Sequence, residues 1–169
     1  MSSLYIITGP AGVGKSTISK LLAENKSKSA LIEGDEIYHQ VIGGYTEAWK
    51  DGNHLDVFWK ICVNTIKTYL DEGFDVVFNY IVSPENLELL KEEFKNYKAK
   101  FVLLLVDEKK LLLRDSFRPE DFQMKERCIT LLNSFKAKNY GQNYILDTSS
   151  LSASEVAQII ENNDSFIIK

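Results

Sequence analysis

The stretch Gly9-Pro10-Ala11-Gly12-Val13-Gly14-Lys15-Ser16 carries the residue types that hold a chain of phosphates. Gly9, Gly12 and Gly14 admit backbone geometry closed to residues with a Cβ, so successive N–H groups, that of Val13 included, can turn inward and ring an anion. Lys15 adds a point charge for the β- and γ-phosphates, Ser16 offers a hydroxyl to Mg²⁺, and Thr17 beside it is a further hydroxyl in reach of phosphate. An apolar run, Leu4 to Thr8, precedes the loop, and a helical pattern with Ile18, Leu21 and Leu22 on one face follows it. Strand, glycine loop and helix in that order are the context this G-x-x-x-x-G-K-[ST] (Walker A) pattern requires, and the start of the helix adds its own partial positive charge.

Other chemistry sits at the ends of other apolar runs. Glu33-Gly34-Asp35 closes a short second strand near 30–33, Asn79 follows Val76-Val77-Phe78, and Asp147-Thr148-Ser149 follows the last strand near 143–146. The chain has only three arginines, Arg114, Arg118 and Arg127, and all lie in one stretch. Planar guanidinium groups bunched in this way grip phosphate and stack on flat groups as lysine cannot.

Strands alternate with helices throughout. Leu55, Phe58, Trp59, Cys62, Ile66 and Leu70 recur at helical spacing before Gly73, and Phe74 to Ile81 and Lys100 to Val106 read as buried strands. Ser83-Pro84-Glu85 starts a helix, Asp107 can cap another, and Ser152 with Glu155 forms a capping box for the last. The pattern predicts an α/β fold with a parallel sheet covered on both faces, whose ligands sit beyond the carboxyl ends of the strands.

With 169 residues, 44% of them hydrophobic, the sequence is expected to form one domain over 1–169. A formal net charge of −4 argues against an extended nucleic-acid surface, and the absence of a leader or apolar span predicts a cytoplasmic protein with no membrane partner, monomeric or weakly dimeric. Cys62 and Cys128 are expected to be buried free thiols.

With these features in place, the whole chain resembles the small P-loop kinases, the nucleoside monophosphate kinase-like group that includes shikimate kinase, gluconate kinase and chloramphenicol phosphotransferase. The resemblance implies a three-layer P-loop fold with a five-stranded parallel sheet, a small lid near 114–127, an acceptor lobe near 36–60, and transfer of the ATP γ-phosphoryl group to a small-molecule hydroxyl with Mg²⁺. It places Asp35 at the acceptor hydroxyl, as proton acceptor or as holder of a Mg²⁺ water; a helix cap is the alternative use for the same carboxylate. It places Arg114 on the adenine, Arg118 and Arg127 on the phosphates, and Asp147 and Thr148 along the adenine edge. Asn79 departs from the pattern, because many P-loop enzymes carry a metal-shell aspartate there.

The acceptor lobe lacks arginine, whereas kinases of this group that bind anionic acceptors usually grip them with arginine forks. That difference points to an uncharged or cationic acceptor, with Tyr38, His39, Trp49 and Trp59 as apolar faces and His39, Asn79 or Tyr80 as polar contacts. Packing in the core is the competing use for Trp59. Two other functions fit the loop: a nucleotide-binding switch without an acceptor, and a polynucleotide 5′-hydroxyl kinase, which the acidic balance opposes.

Overall fold

The structure is a computed structural model that describes residues 2–169, the Phe122 side chain excepted. Five strands, β1 (Ser3–Thr8), β2 (Ser29–Glu33), β3 (Asp75–Asn79), β4 (Lys98–Leu105) and β5 (Ile145–Asp147), form one sheet in the order β2-β3-β1-β4-β5, and every pair is parallel. Seven helices connect or follow them: α1 (Lys15–Glu24), α2 (Gly34–Tyr38), α3 (Leu55–Asp71), α4 (Pro84–Glu93), α5 (Glu108–Ser116), α6 (Glu126–Ala137) and α7 (Ala153–Asn162).

The central strand shows why the sheet needs cover on both faces. Leu4 and Ile6 of β1 point into a layer with Phe58, Cys62 and Ile66 of α3 and Leu87 and Leu90 of α4. Tyr5 and Ile7 point the other way, against Ile18 and Leu22 of α1, Leu132 of α6 and Val156 and Ile160 of α7. Strict alternation along a buried strand thus builds a three-layer α/β molecule.

The helix starts follow local chemistry. Ser83 accepts from the Asn86 amide with Pro84 in the first turn, Asp107 accepts from the Lys110 amide, and Ser152 and Glu155 form a reciprocal capping box. Both cysteines are free and buried. One lysine breaks the rule that charge stays outside: Lys100 on β4 is 1% exposed and donates to the carbonyls of Ile160 and Glu161, closing the end of α7.

β3 and the last strand are shorter than their apolar runs predict. The chain leaves the sheet after Asn79, and residues 142–144 form a single 3₁₀ turn before β5. The early departure matters, because it sends Tyr80 to Ser83 along the carboxyl edge of the sheet. The strand order reverses between β3 and β4, on either side of β1, and the loop 9–14 emerges at that point. Among the described residues no helix is long and apolar enough to cross a membrane.

Candidate active site

The phosphate loop is shaped by contacts that its sequence demands. Gly9 lies so close to β4 that a Cβ there would sit 2.5 Å from the Leu104 carbonyl oxygen. Gly14 takes φ 107° at the N-cap position of α1, a left-handed geometry that favours glycine. The Lys15 ammonium folds back to donate to the carbonyls of Gly9 at 2.9 Å and Pro10 at 3.0 Å. Desolvation lowers its pKa from 10.5 to about 8; Asp35 and Glu33 oppose the drop and Arg118 adds to it.

At the end of β2, the Ser16 hydroxyl donates to Glu33 Oε2 at 3.2 Å. Glu33 pairs in register with Asn79, whose other neighbour in the sheet is Ile7, so the three strand ends converge below the loop. Asn79 is 4% exposed, lines the loop's cavity, and its side-chain nitrogen has no hydrogen-bond partner. A buried amide donor without a partner facing a cavity is the kind of group a ligand oxygen satisfies.

Asp35 is exposed and lies inside the first turn of α2; the N-cap position belongs to Glu33, which makes no capping bond. The capping use for Asp35 is therefore set aside, and its carboxylate makes no hydrogen bond among the described residues. Gly34 between these two acids is required by packing, since a Cβ there would meet the Tyr80 ring at 2.7–2.8 Å.

The segment joining α5 to α6 is built around Asp115. Its side chain is 3% exposed and accepts from the amides of Met124, at 2.9 and 3.1 Å to its two oxygens, and Lys125, at 2.7 Å. Lys125 has φ 49°, the single positive value among described residues other than glycine, so the carboxylate holds a strained turn in place. The three arginines radiate from this anchor. Arg114 donates to the Val13 carbonyl at 2.8 Å, Arg118 stands 3.8 Å from Asp115, and the Arg127 guanidinium lies 4.6 Å from the centroid of the Trp49 ring.

Two cavities meet here. One, of about 640 Å³, runs over the phosphate loop between Ala11 and Ile18 and reaches Thr148, Leu151 and Val156. The other, of about 1060 Å³, opens among Tyr38, His39, Tyr45, Leu55 and Tyr80. Asp35, Trp49, Ile81, Arg118, Met124 and Arg127 line both, so a carboxylate and two guanidinium groups stand where one space passes into the other.

Lys15, Ser16, Thr17, Gly12, Val13, Gly14, Arg114, Thr148 and Asn79 line the first cavity, and Tyr38, His39 and Tyr80 the second. Four of the residues singled out in the sequence make contacts of another kind. Trp59 is 6% exposed, packs on Phe58, Phe78 and Tyr80, and faces a separate groove between α3 and α4, because its place on the inner stripe of α3 commits it to the core. Asp147 does not line the cavity; its carboxylate accepts from the amide and hydroxyl of Ser149, which holds its pKa below the usual range. Arg114 is tied to the loop carbonyl, so its contact with a base is not preformed. Gly9 shapes the loop from below and does not line the cavity.

Two residues escaped sequence reasoning. Glu33 was visible as the last residue of a strand that ends at the loop, two positions before Asp35. Asp115 carried no signal, since an acid in a polar helix reads as solvated surface.

The donor set suits the ligands the loop motif implies. Ser16, Glu33 and Asp35 offer hard oxygens of the kind Mg²⁺ prefers. Among the described residues no group of three or more His, Cys, Asp or Glu is arranged to hold a metal.

No protein-family model matches the chain, and no curated protein matches it by sequence. Solved structures do. The chain is similar to the tunicamycin resistance protein of Deinococcus radiodurans (TM-score 0.70, 19% identity, 95% of this chain and 94% of that one). It is similar to a sugar kinase from Janibacter sp. HTCC2649 (TM-score 0.70, 15% identity, 94% and 91%) and to a gluconokinase from Sinorhizobium meliloti 1021 (TM-score 0.63, 20% identity, 93% and 87%). The chain thus has the P-loop kinase fold along nearly its whole length.

Proposed function

We propose that this chain, with the fold of the small P-loop kinases, transfers the γ-phosphoryl group of ATP to a hydroxyl of an uncharged or cationic small molecule. The observation that carries the reading is the junction itself. A cavity built on a phosphate loop opens into a second cavity with several aromatic residues in its walls, and Asp35, Arg118 and Arg127 line the passage between them. A switch protein that only binds nucleotide has no use for the second space.

Each residue has a task that its chemistry suits. The loop amides and Lys15 hold the phosphate chain, and nucleotide binding releases the ammonium from the Gly9 and Pro10 carbonyls. Ser16, Glu33 and Asp35 are the groups that would hold Mg²⁺, which when bound neutralises charge across the β- and γ-phosphates. Asn79 offers its unpaired N–H to an oxygen at the same place without adding a charge.

Asp35 accepts the acceptor's hydroxyl proton as the new O–P bond forms and the bond to the leaving diphosphate breaks. Arg118 and Arg127 stabilise charge on the transferred group, with the segment 116–125 acting as a lid that Asp115 anchors. Arg114 positions the loop through Val13 and borders the nucleotide.

Beyond the junction the acceptor cavity has no arginine; its charged side chains there are Asp121 and Lys138, one of each sign. That balance favours an acceptor without a carboxylate or phosphate, since such groups are usually met by arginine forks. ADP release measured across a panel of hydroxyl compounds is the direct test. Turnover stimulated by an acceptor supports the reading, and nucleotide hydrolysis at one rate whatever is added would overturn it.

A further inference from the structure

We infer that the acceptor is long, carrying its reacting hydroxyl at one end of an apolar, flat-faced body, and is not a monosaccharide or small hydroxy acid. This rests on the kinase reading and deepens it.

The walls of the second cavity give its direction. On α6, Arg127 and Leu131 line both cavities, whereas Ser134, Phe135 and Lys138 line only the second. The opposite wall changes in the same order: Asn79 faces only the nucleotide space, Ile81 both, and Val82 and Ser83 only the acceptor space. The cavity therefore extends away from the junction alongside α6. From Arg127 to Lys138 the helix and its cap advance about 16 Å, at about 1.5 Å per residue.

The far end is closed by structure. The Tyr140 hydroxyl donates to the Val82 carbonyl at 2.9 Å, joining the two walls, and the Tyr140 ring stacks on Phe135 with centroids 5.8 Å apart. Between the ends, Leu131 and the edges of the Phe135 and Tyr80 rings present apolar surface, and Ser83, Asn86 and Lys138 make the far end polar. A volume of about 1060 Å³, junction included, is just above the range for sites that take drug-sized ligands, roughly 300–1,000 Å³. A small polyol would leave the apolar half wet and its walls unpaired with ligand.

Methyl, phenyl and biphenyl-4-yl β-D-glucosides share one hydroxyl-bearing head and differ in the number of rings behind it. Isothermal titration of the full chain with this series is expected to show affinity rising about tenfold with each ring. Ser134→Trp, an exposed position on the far wall, is expected to abolish the gain for the biphenyl compound; Ser134→Phe is the substitute if the first variant does not fold. Equal affinities along the series, or a gain that survives both substitutions, would overturn the inference. Because binding is measured and not turnover, a failure of the kinase reading would appear separately, as glucosides that bind in the expected order with no acceptor able to stimulate ADP release.

Discussion

The guanidinium of Arg127 rests on the face of Trp49, its central carbon 4.6 Å from the ring centroid, and so links the first turn of α6 to the loop between α2 and α3. Trp49 is 68% exposed, a costly place for an indole unless it meets something. A cation–π contact at such a site contributes about 0.5–1 kcal/mol, enough to aim Arg127 at the junction yet weak enough to release it to a phosphoryl group. Trp49→Leu is expected to lower kcat/KM for the acceptor about two- to fivefold while KM for ATP holds. Steady-state kinetics with each substrate varied in turn check this; a change confined to ATP would mean that the indole serves the nucleotide alone.

Lys15 gives the protein a pH signature. In the free chain its ammonium ionises near pH 8, against 10.5 for the unfolded group. Between those values the unfolded chain binds more protons at this position, so Lys15's contribution to stability rises with pH across the window, and the desolvation cost is borne in full below it. Nucleotide binding behaves in the opposite sense, because phosphates favour the charged form. The dissociation constant for ATP is expected to be flat to about pH 7.5 and then to rise toward about tenfold per unit above 8. Titration calorimetry across this range, with Lys15→Arg as the variant whose charge persists, checks it: the arginine variant should show no such rise.

Asp115 is expected to govern the order of the segment 116–125. Asp115→Ala removes a buried acceptor from two backbone amides and should cost about 2–4 kcal/mol, with Tm falling about 2–4 °C for each kcal/mol. Trypsin should then cut after Lys125 well before the rest of the chain opens. Unchanged proteolysis would mean that helix packing alone holds the segment.

Gly34→Ala tests a steric relationship without touching charge. The added methyl meets the Tyr80 ring inside contact distance, and Tyr80 is itself wedged against Phe58, with centroids 4.4 Å apart. Overpacking here is expected to cost about 1–3 kcal/mol and to raise the acceptor KM, since Tyr80 must shift toward the cavity it lines. Thermal unfolding and acceptor kinetics measured together check both effects.

The phosphate loop, the parallel sheet and the helix caps were legible because each is a local pattern: glycines at fixed offsets, continuous apolar strands, Ser152 three residues before Glu155. The bunching of arginines was also local, and all three line the cavity over the phosphate loop. What could not be read was how side chains are shared between elements. Trp59 and Trp49 look alike in sequence, yet the register of α3 buries one and the loop before it leaves the other at the junction. Asp147 and Asp35 both stand at the carboxyl end of a strand, but only Asp147 has a serine two residues on to take up its carboxylate. Asp115 acts on amides nine and ten residues away, across a turn with no sequence signature of its own.

Acceptor-stimulated ADP release by Asp35→Asn bears most directly on the claim that the junction of the two cavities is where phosphoryl transfer occurs. The substitution keeps the size of the side chain and removes its charge, at an exposed position that caps no helix. With the acceptor that best stimulates the native chain, kcat is expected to fall about 10²-fold or more while ATP affinity changes far less. An Asp35→Asn variant that turns over its acceptor at the native rate would contradict the claim.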